Sequence, residues 1–169
     1  MCSSDLGYVL ENRLIVSKLF PEAFRELRIQ HIASSYKRLL DTLTELATPL
    51  AQGESVRFAL LTPGPYNETY FEHTYLARYL GLPLVEGDDL TVRDDKLYLK
   101  TLHGLERIHG LLRRLDDEFM DPLELRADST LGVPGLLQAI RSGNVLIANA
   151  LGAGFLEDRK STRLNSSHT

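Results

Sequence analysis

"LLTPGPYNETYFEHTYLARYLGLPLVEG" (residues 60–87) decides the fold. The apolar run "VRFALLT" has no helical phase, as a buried strand should read, and it stops at Thr62-Pro63-Gly64-Pro65. A helical pattern runs from Asn67 to Leu80, and Thr69-Tyr70-Phe71-Glu72 fits a capping box at its start. Gly81 ends that helix, and "LPLVEG" follows as a second short apolar strand. Strand, tight loop, helix and strand in this order predict a parallel pair joined by a crossover.

Downstream of this unit, "LTVRDDKLYLKT" alternates as a hairpin about Asp94-Asp95-Lys96. "RIHGLLRRL" reads as one further buried strand, with His109 inside it. Pro134 and Gly143 bracket a helix through Leu137 and Ile140, and "NVLIANALGAG" is a last strand running into a glycine turn. Upstream, Leu10, Leu14, Ile15 and Leu19 share one helical face that breaks at Pro21, which opens a short helix carrying Phe24 and Leu27. Tyr36, Leu39, Leu40, Leu43 and Leu46 form the stripe of another helix, and "TPLAQGES" reads as a linker. The expected class is α/β, a Rossmann-like domain with a largely parallel sheet preceded by a helical segment.

The two ends read differently. "CSSDL" can be encoded as TGC-TCT-TCC-GAT-CT, whose reverse complement in another register begins the codons for Asp158-Arg159-Lys160-Ser161. Residues 1–6 and 158–169 are therefore expected to be translated sequencing adapter, flanking an internal fragment, rather than polar tails that belong to the fold. The formal net charge of the chain is −4, and those ends hold more basic than acidic residues, so the remainder is more acidic still. No basic stripe suggests nucleic acid, and no apolar run reaches the ~20 residues of a bilayer span. Cys2, the single cysteine, excludes an internal disulfide.

Ligands in open α/β sheets gather at the carboxyl ends of strands, so three loops are candidates. "TPGPYNE" offers backbone N–H groups at a helix start, with Asn67, Glu68 and His73 nearby; a plain turn explains the same residues equally well. In "LRRLDDEFMD" an extended chain would point Arg114 and Asp116 to one side, able to hold a zwitterion, or a phosphate with a metal. An ion pair among Arg113, Arg114, Asp116 and Asp117 is the simpler explanation there. "NALGAG" resembles a phosphate-cradling turn, but G-x-G is a weak signal and a structural turn is the better explanation. If the strands ending at Thr62 and Leu115 are parallel members of one sheet, Arg114 and Asp116 lie near Asn67. His31, His73, His103 and His109 lack metal-ligand spacing, and no metal ligand is assigned.

"GYVLENR", "LTPGPYNETYFEHTYLARYLGLPLVEGDDLTVRD", "RRLDDEFMDPLELR" and "LGVPGLLQAIRSGNVLIANALGAG" resemble consecutive motifs of the circularly permuted ATP-grasp family, which is similar to glutathione-synthetase-type ligases. The resemblance covers nearly all of residues 7–157. It implies a cytoplasmic ligase that joins a carboxylate to an amine, small molecules or a peptide, through an acyl phosphate, with ATP and Mg2+. On that likeness residues 7–48 end an ATP-grasp lobe, and residues 54–157 form the pre-ATP-grasp domain and the start of the next segment. Glu11, Asn12, Asn149 and Gly152 are then expected toward the nucleotide, and Asn67, Glu68, His73, Asp116 and Asp117 toward substrate. Arg13 and Arg114 are expected over the developing acyl phosphate, where positive charge matters most. The family's acidic-asparagine magnesium motif is missing, and the partner this implies is the remainder of the protein's own chain. No nucleic-acid or membrane partner is expected. The main rival is a non-catalytic α/β binding or scaffold module. A nicotinamide-dependent oxidoreductase would need a G-x-G-x-x-G that "TPGPYN" does not supply, and a metal-dependent sugar-nucleotide transferase would rest on "DDEFMD" alone.

Overall fold

The structure, a computed structural model, describes residues 6–30 and 32–152. His31 and the expected adapter residues, apart from Leu6, lie outside the described residues; Leu6 is the first residue of α1. The chain runs α1 (Leu6–Leu19), α2 (Pro21–Glu26), α3 (Ala33–Ala47), β1 (Phe58–Leu61), α4 (Tyr70–Leu80), β2 (Leu84–Val85), β3 (Leu90–Arg93), β4 (Lys96–Thr101), β5 (Gly104–Ile108), β6 (Gly110–Arg113), α5 (Leu136–Arg141) and β7 (Leu146–Ala148). β1, β2, β6 and β7 form one parallel sheet in the order β2-β1-β6-β7, and β3-β4-β5 form an antiparallel meander.

The parallel strands are apolar on both sides because both faces are covered. Leu60 and Leu112 point into a cluster with Leu10 of α1, Tyr36 of α3 and Leu76 and Ala77 of α4. Ala59, Leu61 and Leu111 point the other way, against Leu90, Leu97 and Ile108 of the meander and Leu136 and Ala139 of α5. Alternate residues of β1 and β6 thus serve opposite layers, as the period of a strand requires. The α/β class and the parallel sheet are as expected.

Four local expectations are corrected. "RIHGLLRRL" is not one strand: the chain leaves the meander at Ile108 and enters the parallel sheet at Gly110, with His109 as the joint. Thr69 precedes α4 without a side-chain capping bond, and Glu72 is turned into the protein instead of back to the helix start. On the N-terminal helices only part of each stripe is covered: Leu10 is buried while Ile15 and Leu19 are exposed, and Tyr36 is buried while Leu39 and Leu46 are exposed. "TPLAQGES" also does more than connect, because Thr48–Ala51 form a 3-10 turn that buries Ala51.

The hairpin turn explains its own sequence. Asp94 and Asp95 have φ of 50° and 56°, the two left-handed positions of the mirror-image turn that matches strand twist. Asp tolerates this region better than most L-residues.

Candidate strand-mouth site

β1 and β6 are parallel neighbours in register, with Leu61 opposite Arg113, so the loops that follow them emerge at one edge. The loop after β1 is wired internally. Asn67 Oδ1 accepts the Thr69 backbone N–H at 2.9 Å and the Thr69 hydroxyl at 2.5 Å, an Asx turn reinforced by a second donor. The Thr69 hydroxyl has then spent its proton, so its oxygen accepts from His73 Nε2–H at 3.1 Å. With Nε2 protonated, Nδ1 is the acceptor of a neutral ring, and the Thr62 hydroxyl donates to it at 2.9 Å. Thr62 Oγ1 in turn accepts the Gly64 N–H at 3.3 Å.

This chain of bonds works only with an uncharged imidazole. Burial, and then the nearby Arg114 cation, lower the pKa of His73 to about 4. His73 is therefore a clamp between α4 and both ends of the loop. Its two nitrogens are occupied within the protein, at odds with the expected substrate contact. The carboxamide of Asn67 is oriented by the same bonds: its oxygen is consumed, and its NH2 remains as donor on a half-buried side chain.

Behind the clamp, Arg114 pairs with Glu72 at 2.8 Å, both side chains at most 3% exposed. Its backbone N–H donates to Leu61 O at 2.9 Å, which ties the end of β6 to β1. Glu72 Oε2 lies 3.7 Å from His73 Nε2, so Arg114 connects to Asn67 through Glu72, His73 and Thr69. Asp116 is exposed, beyond the end of β6 at Arg113 and a bend at Leu115, so the assumed extended run does not continue.

Arg113 and Asp117 make a second junction. Arg113 Nη1 approaches Asp117 Oδ1 at 2.5 Å, a close charge contact rather than a well-aligned hydrogen bond, and donates to Leu115 O at 2.6 Å. Nε and Nη2 donate to Asn149 O at 3.2 Å and Ala150 O at 3.3 Å. Asp117 Oδ2 accepts the Gly152 N–H at 2.8 Å. Arg113 and Asp117 thus tether the loop after β7 to the loop after β6, with Asn149 (φ 65°) turning the chain.

The remaining candidates divide. Glu68 is exposed beside Asn67. Glu11 and Asn12 stand on α1, whose Tyr8 stacks on Phe71 of α4 at 6.1 Å and whose Glu11 acts electrostatically on Tyr75. α1 therefore runs alongside α4, with Tyr8 beside its first turn. The Arg13 guanidinium lies 6.0 Å over the Phe24 ring, and its Nε is buried without a hydrogen-bond partner. Sequence reasoning missed Thr62 and Thr69 as relay hydroxyls and Arg113 as the inter-loop tether, and it assigned Glu72 to a cap. The adjacency Glu72-His73, facing a Thr one strand end away, was the only available signal.

A model of the circularly permuted ATP-grasp type 2 family matches residues 1–164, and the chain belongs to that family. It is 46% identical over 156 residues to an uncharacterized protein of Synechocystis, covering 92% of this chain and 32% of the relative. Two uncharacterized proteins of Mycobacterium tuberculosis are 42% and 43% identical, again over 92% of this chain but 28% and 17% of their own lengths. The chain thus spans about a third or less of the curated relatives it matches. Among the described residues no group of three or more His, Cys, Asp or Glu side chains is placed to hold a metal ion, so they do not by themselves fit a Mg2+ centre. Among them, too, no helix is long and apolar enough to cross a membrane.

Proposed function

We propose that this chain supplies the acceptor side of the active site of an ATP-dependent carboxylate–amine ligase whose nucleotide and Mg2+ are held largely by other parts of a longer protein. On this reading residues 7–48 close an ATP-grasp lobe, and residues 54–157 form the pre-ATP-grasp domain and the start of the next segment. The observation that supports it best is the convergence, at one sheet edge, of three strand-end loops whose polar side chains are held in fixed orientations. Preorganised donors of this kind stabilise developing charge without reorganising.

The roles follow from the bonding. The Asn67 NH2 is the donor offered to a substrate oxygen, and Glu68 is the exposed carboxylate available to an amine. Asp116 and Asp117 border the same rim, although Asp117 is committed to Arg113 and Gly152. Arg114 acts through Glu72 and His73 by holding the loop. Arg13, whose buried Nε lacks an acceptor, is the better candidate for direct charge stabilisation once the rest of the protein is in place. Glu11, Asn12, Asn149 and Gly152 would face the nucleotide half, and the reaction would run through an acyl phosphate in the cytoplasm.

The test is turnover by the intact longer protein. ATP should be consumed only when a carboxylate and an amine are both supplied, releasing ADP and phosphate. AMP and pyrophosphate would overturn the acyl-phosphate reading. Asn67→Asp replaces the donor with a repelling carboxylate and should lower kcat. The carboxylate partners of Arg113 and Arg114 also favour a second reading, a non-catalytic α/β binding module, under which no substrate pair elicits ATP turnover.

A further inference from the structure

The opposite edge of the parallel sheet holds a cavity of about 200 Å3 lined by Leu50, Ala51, Gln52, Glu54, Lys96, Tyr98, Arg107 and His109. Four of these side chains decide its chemistry, and they arrive from three places: the connection before β1, the meander, and the joint between β5 and β6.

His109 is fixed from several directions. Its backbone N–H donates to Arg57 O at 2.8 Å, its carbonyl accepts the Leu146 N–H at 2.9 Å, and its Nδ1 accepts the Arg57 N–H at 3.1 Å. An acceptor Nδ1 on a neutral ring leaves the proton on Nε2. The residue is 1% exposed and lines the cavity, and no hydrogen bond from Nε2 is found among the described residues. Arg107 is equally rigid. Its guanidinium donates to Leu97 O, Ile108 O and Asn144 O at 3.0, 2.9 and 2.7 Å and lies 5.7 Å from the Tyr98 ring. All three acceptors are neutral carbonyls, and no carboxylate pairs with Arg107 among the described residues, so its charge is uncompensated at contact range. Lys96 adds a second cation, and Glu54 is the one carboxylate in the lining.

We propose that this cavity is a binding site for a small oxyanion, a carboxylate or a phosphate, received by Lys96, Arg107 and the Nε2–H of His109. A guanidinium fixed by three carbonyls and an unspent N–H on a rigidly held ring, with Lys96 beside them in a concave site, cost little to organise at the moment of binding. The volume lies below the ~300–1,000 Å3 of drug-sized sites, which restricts the ligand to a few heavy atoms around the acid group. Glu54 opposes a bare dianion and favours a ligand that carries an amine beside its acid. The site lies at the amino ends of β1, β6 and β7, at the edge opposite the strand mouth, and is independent of the ligase reading.

Burial first, then Arg107, hold His109 below its usual pKa; Glu54 opposes them, and Arg57 adds the smallest effect in the lowering direction. A bound oxyanion favours the protonated ring, so affinity should rise as pH falls. The experiment is an NMR titration of the isotopically labelled chain with inorganic phosphate, acetate and glycine in turn, reading the His109 ring and the Lys96 and Arg107 signals. At least one probe should give saturable shifts at all three residues with a dissociation constant at or below the millimolar range. Lys96→Met should weaken binding roughly tenfold, the loss of one charge-assisted contact. Glu54→Gln should tighten phosphate or acetate and weaken glycine. Non-saturable shifts with every probe, or identical affinities in wild type and Lys96→Met, would overturn the proposal. The ranking of phosphate against acetate and glycine identifies the acid group. Lys96 and Glu54 are chosen because neither pins a strand, so both variants should keep the wild-type backbone spectrum.

Discussion

The two edges of the parallel sheet each carry a buried histidine, and they are built on opposite plans. At the carboxyl edge His73 has both nitrogens engaged, Nδ1 with Thr62 and Nε2 with Thr69, and the ring is a strut. At the amino edge His109 spends only Nδ1, on Arg57, and its ring lines a cavity that Lys96 and Arg107 also line. Both rings are kept neutral by burial. What separates them is the bonding of the second nitrogen: a saturated imidazole organises neighbours, and an unsaturated one still has a bond to offer. A buried histidine is therefore informative only when both ring nitrogens are accounted for.

Four outcomes test this contrast, in descending size. The largest belongs to the pair behind His73. Glu72→Ala removes one partner of a buried ion pair whose side chains are at most 3% exposed, and should cost about 3–5 kcal/mol in chemical denaturation. Arg114→Ala removes the other partner of the same buried pair and should cost a similar amount. The double change Glu72→Leu with Arg114→Met should recover much of the loss, since apolar replacements of a buried pair are often tolerated. If the single variants denature like wild type, the pair is not buried in solution.

The pH dependence is second. The folded pKa of His73 is lowered to about 4, below its ordinary value of ~6.5. Between those values the unfolded chain binds more protons than the folded one, so stability falls as pH drops from ~6.5 toward 4. For His73 alone the loss is on the order of 3 kcal/mol at most, and His109, shifted in the same direction, adds to it. Denaturation midpoints of His73→Asn measured across that range should show a flatter slope than wild type. An unchanged slope would remove His73 as its source.

Third comes Gly110, the first residue of β6. A Cβ there would meet the Phe58 ring at 2.1 Å, and Gly110→Ala should cost ~1–3 kcal/mol by overpacking. Because the clash sits beside His109, the variant should perturb the amino-edge cavity and leave His73 signals in place. The smallest effect is expected for Arg126→Ala. Its pairs with Asp128 and Glu118 are exposed, and its removal should not measurably move the unfolding midpoint. A large shift would mean that its contact with Phe119 at 4.7 Å holds the loop after β6.

Local signals in the chain account for most of the architecture. Apolar runs without helical phase marked β1, β2 and β7, Gly81 stopped α4 in the left-handed region, and alternation marked the β3–β4 hairpin. Where the reading failed, the cause was a partner distant in sequence. Glu72 looked like a capping residue because its true partner, Arg114, is 42 residues away. "RIHGLLRRL" looked continuous because nothing local marks the break; Arg57 makes it by taking both the backbone and the ring of His109. The exposed half of the α1 and α3 stripes could not be told from the buried half, since periodicity reports a face and not what covers it. At the strand mouth, Asn67, His73 and Arg114 were legible as polar groups near strand ends, but their bonding was not. Arg13 was grouped with Arg114 by likeness alone, and its contact with the Phe24 ring had no local signal.

The one-residue joint at His109 has a kinetic consequence. β1 cannot pair with β6 until a loop of 52 residues closes between Arg57 and His109, an entropic cost that precedes any reward from the contact. The meander lies inside that loop, and its strands pair with close sequence neighbours, Thr101 with Gly104 and Arg93 with Lys96. Once β3, β4 and β5 have assembled, on the microsecond scale typical of hairpins, much of the intervening chain is already compact. β6 then leaves its edge after a single residue, presented to β1. Substitutions in the meander, such as Leu97→Ala, should therefore slow refolding nearly in proportion to the stability they remove, whereas substitutions in β7 should act mainly on unfolding.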